Sequence, residues 1–332
     1  MDAAAKAIDR FEGFGSFRPF KDFRAEHASA FRTHLLSHRT ASGQALSKST
    51  VVHTLNALKR FFGWLAGQSG YRKIEYAWSE YFTPSLKDLA AARAHRERRV
   101  PTVDQICSLV ASMPDATPVQ KRDRAVIALI ALTGARDNAV ASFKIKHIDV
   151  QERMLFQDGR TVRTKFSKTI TTWFFPVSND LERIVADWVG YARSVLHFGS
   201  NDPLFPATKR TLAASDMGSL GKVGWETAGP IRRIFKESFE RAGMAACNPH
   251  SLRHMLVRLG MDVCRTPEEF KAWSQNLGHE GVLVTLNSYG DVPTHRQREL
   301  IHSFAHRSHD KDLALTLGLA VLEAARKGKT AV

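Results

Sequence analysis

Apolar residues recur at helical spacing in the first third of the chain. Val51, Val52, Leu55, Leu58, Phe61, Phe62 and Leu65 follow the capping run Ser47-Lys48-Ser49-Thr50, which predicts an amphipathic helix. Its other face carries His53, Asn56, Lys59 and Arg60. Such a face is ordinarily solvated; laid beside a duplex, it would hold phosphates. From Ala91 to Val100 the segment AARAHRERRV has no apolar stripe, and Pro101 follows it, so it reads as a linker. Its Arg93, Arg96, Arg98 and Arg99 either keep a hinge solvated or lie along a nucleic-acid backbone. Beyond it, Thr102 is placed to cap a helix through Leu109, and a long apolar helix is predicted from Arg122 to Leu132.

The pattern then changes. Residues 148 to 177 alternate and are rich in Thr, Val, Phe and Trp, which predicts short antiparallel strands. Helices return from Leu181, from Pro230 to Ala242, and after Pro249. A last helix is predicted over roughly Lys311 to Arg326, with Leu313, Leu317, Ala320 and Ala324 on one stripe and Leu315, Leu319 and Leu322 on another. That is more apolar surface than one face needs. The expected fold is mainly α with a small antiparallel β-sheet, an α+β chain of two domains. The expected divisions are a helical domain over 1–92, a basic linker over 93–100, a larger domain over 101–309 and a C-terminal helix over 310–332.

Charge narrows the choice of partner. A formal charge of +15 on 332 residues that are 43% hydrophobic describes a folded basic protein, for which a polyanion such as DNA is the expected partner. Both halves are basic, as suits a protein gripping a duplex from two sides. The three cysteines, Cys107, Cys247 and Cys264, have no framework spacing, which fits a reducing cytoplasm. The opening MDAAAKAIDRFEGF lacks an apolar signal core, and no window suits a membrane span. A soluble, intracellular protein with no membrane partner is expected.

Candidate chemistry lies in the second half. Thr133-Gly134-Ala135-Arg136 closes the long apolar helix; Asn248-Pro249-His250-Ser251-Leu252-Arg253-His254 follows a turn at Gly243; Leu277-Gly278-His279 precedes Tyr289 in SYGDV. Each piece alone is unremarkable, but in this order they resemble the tyrosine recombinases, the phage integrase-like family of site-specific DNA recombinases. The resemblance covers the second half and, more loosely, residues 20 to 90, which look like that family's helical core-binding domain. It implies a catalytic domain that cuts and rejoins DNA through a 3′-phosphotyrosine, with Tyr289 as nucleophile. Arg136 and Arg253 would clamp the phosphate, and His250 and His279 would donate further hydrogen bonds as charge develops. A hairpin lysine would protonate the leaving 5′ oxygen. Lys168, in Ser167-Lys168-Thr169, fits the family's spacing to Pro176; Lys165 is the alternative.

The resemblance implies neither metal nor nucleotide cofactor. It implies a double-stranded recombination site as partner, a monomer or dimer free in solution, a tetramer in the synapse, and accessory DNA-bending or directionality proteins as further partners. The C-terminal helix would dock into a neighbouring protomer, and the protein would sit in the bacterial cytoplasm with the nucleoid. Two departures stand out. Ala139 replaces the family's usual glutamate after the first arginine, leaving Asp137 as a candidate brace for Arg136. The step from His279 to Tyr289 is one residue longer than is common, so a bulge is expected there.

Rival readings are weaker. Cys247, His250 and His254 have the spacing of half a zinc site, but no second cysteine pair lies near. A type IB topoisomerase would use the same chemistry without needing a two-sided terminal helix. A non-catalytic DNA-binding protein on this fold would not need a nucleophile.

Overall fold

The computed structural model describes residues 3–40, 43–93, 99–209 and 219–279, together with 281, 282, 286, 298 and 299. The chain forms two compact units, Met1–Arg96 and Glu97–Val332.

The first unit is helical: α1 Ala3–Phe14, α2 Ala25–Ser37, α3 Lys48–Ala66 and α4 Leu86–Arg93, with a 3-10 helix over Tyr76–Phe82. Within the expected capping run it is Ser47 that makes the cap, its side chain accepting from the Thr50 amide at 3.1 Å. The stripe of α3 faces inward as its spacing demands, burying Val51, Leu55, Leu58, Phe62 and Leu65. Five phenylalanines fill the centre. Phe23 stacks on Phe62 at 3.9 Å, and Phe11 meets Phe31 and Phe62 edge-on at 5.1 Å, while Phe82 closes the cluster. Large rings supply much buried area from few residues, which a unit this small requires. Helix α4 continues through Ala91, Ala92 and Arg93, into the stretch predicted to be linker. Alanine and arginine are strong helix formers even without an apolar stripe, and Ser85 and Asp88 close the first turn through the Asp88 amide at 3.1 Å.

The second unit begins with α5 Val103–Ser112, whose Thr102 and Gln105 form a reciprocal capping box. Helix α6 runs Pro118–Thr133, starting at Pro118 rather than Arg122 because Thr117, Pro118 and Gln120 supply cap, first residue and capping box in a polar turn. From Ala125 to Leu132 every side chain of α6 is buried, so this helix is the axis of the unit. A single turn, α7 Asp137–Val140, leads to the three-stranded sheet β1 Ile148–Asp149, β2 Met154–Gln157 and β3 Ile170–Trp173. The sheet is antiparallel in the order β1-β2-β3, with Leu155 opposite Thr172. Then come α8 Asn179–Ser194, an antiparallel pair β4 Pro206–Thr208 and β5 Leu220–Gly224, α9 Gly229–Arg241, α10 Pro249–Val263 and α11 Pro267–Asn276. The β4–β5 pair was not expected: LGKVG has glycine at both wings and little to bury. The rest is the mainly helical architecture with small antiparallel sheets that the sequence predicts. Among the described residues no helix is long and apolar enough to cross a membrane.

Candidate active site

The turn after α6 is built so that Arg136 leaves the core. Gly134 adopts a left-handed conformation (φ 60°), and its amide bonds back to the Ile130 carbonyl at 2.8 Å. A Cβ there would lie 2.9 Å from Leu277 and 3.0 Å from Leu256. Glycine is therefore needed for both the dihedral and the close approach. Thr133 pins the same turn, donating to the Leu129 carbonyl at 2.6 Å and accepting from the Ala135 amide at 3.2 Å.

Asn248 caps α10 by accepting from the Ser251 amide at 3.1 Å, and Pro249 occupies the first helical position. His250 and Arg253, three residues apart, then share one face. Arg253 is 5% exposed, and its acceptors among the described residues include no carboxylate. It donates to the Gly134 carbonyl at 2.9 Å, to the Leu277 carbonyl, and through Nε to His279 Nε2 at 3.2 Å. Arg136, half-buried, makes no side-chain hydrogen bond among the described residues. Arg136, Asp137, Arg232, Asn248, His250 and Arg253 line one pocket of about 390 Å³.

The electrostatics follow from burying like charges together. Burial, then the nearby Arg136, pulls the Arg253 guanidinium down to about 9, and burial lowers Arg136 as well. Both stay protonated at neutral pH. Burial, followed by Arg253, Arg136, His250 and His254, lowers His279 to about 4, so its ring is neutral. Because Nε2 accepts from Arg253, the ring proton is assigned to Nδ1, the nitrogen from which His279 can donate. His250 is exposed and meets His254 edge-on at 4.8 Å.

The two candidate lysines sit on the β2–β3 loop. Lys165 is exposed with its ammonium 4.9 Å from the Phe166 ring centre; Lys168 is half-buried and starts the approach to β3. Neither lines the arginine pocket. The loop is held by backbone. Phe166 and Ser167 have φ of 60° and 53°, and Thr164 donates to the Lys168 carbonyl at 2.7 Å. Gly159 passes so close that a Cβ would come within 1.9 Å of the Ser167 carbonyl oxygen. Arg163 straps the loop to the unit, with its amide donating to Ser142 Oγ at 3.0 Å and its guanidinium to the Trp225 carbonyl at 2.8 Å. Buried His147 accepts the Lys144 amide at 2.9 Å and faces Thr161 Oγ1 at 3.4 Å. Strand β3 is in turn stitched to the His279 turn. Asn276 accepts from the Trp173 amide at 2.8 Å and donates to its carbonyl at 2.9 Å, while Ile170 packs where a Gly278 Cβ would stand.

Arg136, His250, Arg253 and His279 are thus brought together, with the lysine loop anchored to the same turn. Tyr289, Arg96, Arg98 and the helix over 311–326 lie outside the described residues. On α3, His53 and Arg60 are exposed and Asn56 is half-buried, whereas Lys59 is bound to Glu80 at 2.7 Å and Thr83 at 3.1 Å. Arg99 is exposed, and its carbonyl accepts from the Cys247 thiol at 3.9 Å. Asp137 does not brace Arg136: its carboxylate accepts from Arg232 Nε at 2.7 Å and from the Asn138 amide at 2.8 Å. Arg232, Arg163, Gly159 and Asn276 escaped the sequence reading. Only the paired arginines of Pro230-Ile231-Arg232-Arg233 at a helix start gave any signal. Among the described residues no group of three or more His, Cys, Asp or Glu side chains is arranged to hold a metal ion.

Residues 99–294, more than half of the chain, match the phage integrase family. The chain belongs to that family. It is a tyrosine recombinase, of the enzymes that perform site-specific DNA recombination. Tyrosine recombinase XerC of Lactobacillus delbrueckii subsp. bulgaricus is 24% identical over 249 residues, 74% of this chain and 73% of the relative. XerC of Roseiflexus sp. is 23% identical over 282 residues, 84% of this chain and 79% of the relative. Among solved structures, the fold is similar to XerH recombinase bound to palindromic difH substrate in a post-cleavage complex (TM-score 0.58, 14% identity, 90% of this chain and 78% of that one). It is also similar to the Tn1549 transposon integrase in complex with a circular intermediate DNA (TM-score 0.53, 15% identity, 86% and 87%).

Proposed function

We propose that this recombinase cleaves and rejoins a double-stranded recombination site in the bacterial cytoplasm through a 3′-phosphotyrosine on Tyr289, with no metal or nucleotide. The observation that carries the reading is Arg253, buried and, among the described residues, bonded to neutral acceptors only, next to Arg136, which makes no side-chain hydrogen bond among those residues. A buried guanidinium without an acid is expensive. A phosphate entering the pocket would relieve that cost, most of all when charge accumulates on its non-bridging oxygens. Arg136 and Arg253 clamp those oxygens; His250 and the Nδ1 proton of His279 add donors. The N-terminus of α10, facing the same space, adds its positive end. Tyr289 Oη attacks phosphorus and loses its phenolic proton to solvent, the 3′ phosphate passes to tyrosine as the bond from phosphorus to the 5′ oxygen breaks, and that oxygen departs with a proton from Lys168. Reversal by a 5′-hydroxyl from a second duplex rejoins the strand, which requires a synapse of several protomers.

The test is a nicked duplex that traps the intermediate, incubated with the full chain and excess EDTA. A denaturant-resistant protein-DNA adduct is expected, lost in Arg253→Ala. Cleavage that needs Mg²⁺ and leaves no adduct would overturn the proposal.

A further inference from the structure

We propose that Arg232 is a third phosphate-binding arginine of this site, held in place by Asp137, and that it grips the phosphodiester next to the cleaved one. The inference rests on the recombinase reading. Arg232 stands on the first turn of α9 and shares the wall of the pocket with Arg136, His250 and Arg253. Its Nε donates to Asp137 Oδ2 at 2.7 Å, leaving the terminal amino groups without an acceptor among the described residues.

Nothing in the fold itself asks for this arrangement. The Arg232 side chain is 65% exposed, and a surface ion pair of that kind adds little stability. The first turn of α9 contains no acid, so Arg232 stands against the positive end of its own helix. Arg233 beside it turns toward Glu237 at 3.8 Å instead. What the Asp137 contact does achieve is orientation. It fixes a long side chain that would otherwise sample many rotamers, with the free edge of its guanidinium at the pocket. The position also selects the phosphate. Arg253 is buried in the inner wall and, with Arg136 and His250, already supplies more donors than one phosphate has non-bridging oxygens. Arg232, on the exposed side of the same pocket, meets the strand where it leaves the scissile position.

The rival role is that Arg232 only neutralises Asp137, whose negative charge would repel DNA. The two roles part in the double variant: simple neutralisation predicts that Asp137→Ala restores Arg232→Ala, whereas a phosphate contact predicts no restoration.

The probe is a nicked duplex spanning the cleavage position mapped from the wild-type adduct. It is made either fully charged or with an uncharged methylphosphonate at the phosphate next to the scissile one. On charged DNA, Arg232→Ala should weaken binding about tenfold and lower the slope of log K against log salt by about one. Arg183→Ala, a surface arginine paired with Asp180, should change neither. Asp137→Ala should show part of the same loss. On the methylphosphonate duplex the wild type should fall to the level of Arg232→Ala, which should lose nothing more. Additive losses, restoration in the double variant, or an unchanged salt slope would each overturn the inference while leaving the recombinase reading intact. Failure of the wild type to form any adduct would overturn both.

Discussion

At the scale of single residues, the site is a set of positive and neutral donors gathered around the buried Arg253. His279 makes that measurable. Its ring is lowered from an ordinary 6.5 to about 4 by burial and by the arginines around it. Its folded value lies below its unfolded one, so the unfolded chain binds more protons in between, and stability is lost as pH falls from about 6.5 toward 4. His147 is lowered in the same direction, so the contribution of His279 has to be isolated by substitution. The melting temperature of His279→Gln should fall less over that range than the wild type does; parallel curves would mean that the ring titrates normally. That Arg136, His250, Arg253 and His279 come together was legible in the sequence because each belongs to a short motif. Arg232 was not, since its partner Asp137 is remote in sequence and only the packing of α9 against the α6–α7 turn makes them neighbours.

At the scale of elements, the proposed mechanism asks the hairpin between β2 and β3 to bring a lysine to the leaving group. Gly159 is the point of closest approach: any side chain there must displace the Ser167–Lys168 backbone, which is not free to yield as a flexible side chain is. Gly159→Ala should therefore lower cleavage of ordinary DNA by about a hundredfold, the scale of a misplaced catalytic group. The loss should largely vanish when the leaving 5′ oxygen is replaced by sulfur, which departs without a proton. Lys168→Ala should show the same rescue. If Lys165→Ala shows it instead, the proton donor lies three residues earlier in the loop. Capped helices with a clear stripe, α3 and α5 among them, were readable from pattern alone. The start of α6 was hidden in a polar turn, α4 lacked a stripe altogether, and β4–β5 is a pair whose sequence carries almost no alternation.

At the scale of the whole molecule, the proposed strand exchange calls for protomers that hold DNA and one another. The leucines at 313, 315, 317, 319 and 322 predict two apolar stripes for a helix over 311–326, one more than packing on a single surface requires. Deleting residues 311–332 should leave binding to one DNA arm nearly intact and reduce cooperative binding to paired arms, as read from gel shifts beside a thermal melt. A truncated chain that melts early and loses single-arm binding would place the segment on its own domain. Covalent attack on DNA from Tyr289 can be read by mapping the residue that carries DNA after trapping. Wild-type protein should yield one DNA-linked peptide containing Tyr289, and Tyr289→Phe should bind the same duplex with unchanged affinity and yield none. A DNA-linked peptide from any other part of the chain, or an adduct formed equally by Tyr289→Phe, would rule out Tyr289 as the nucleophile.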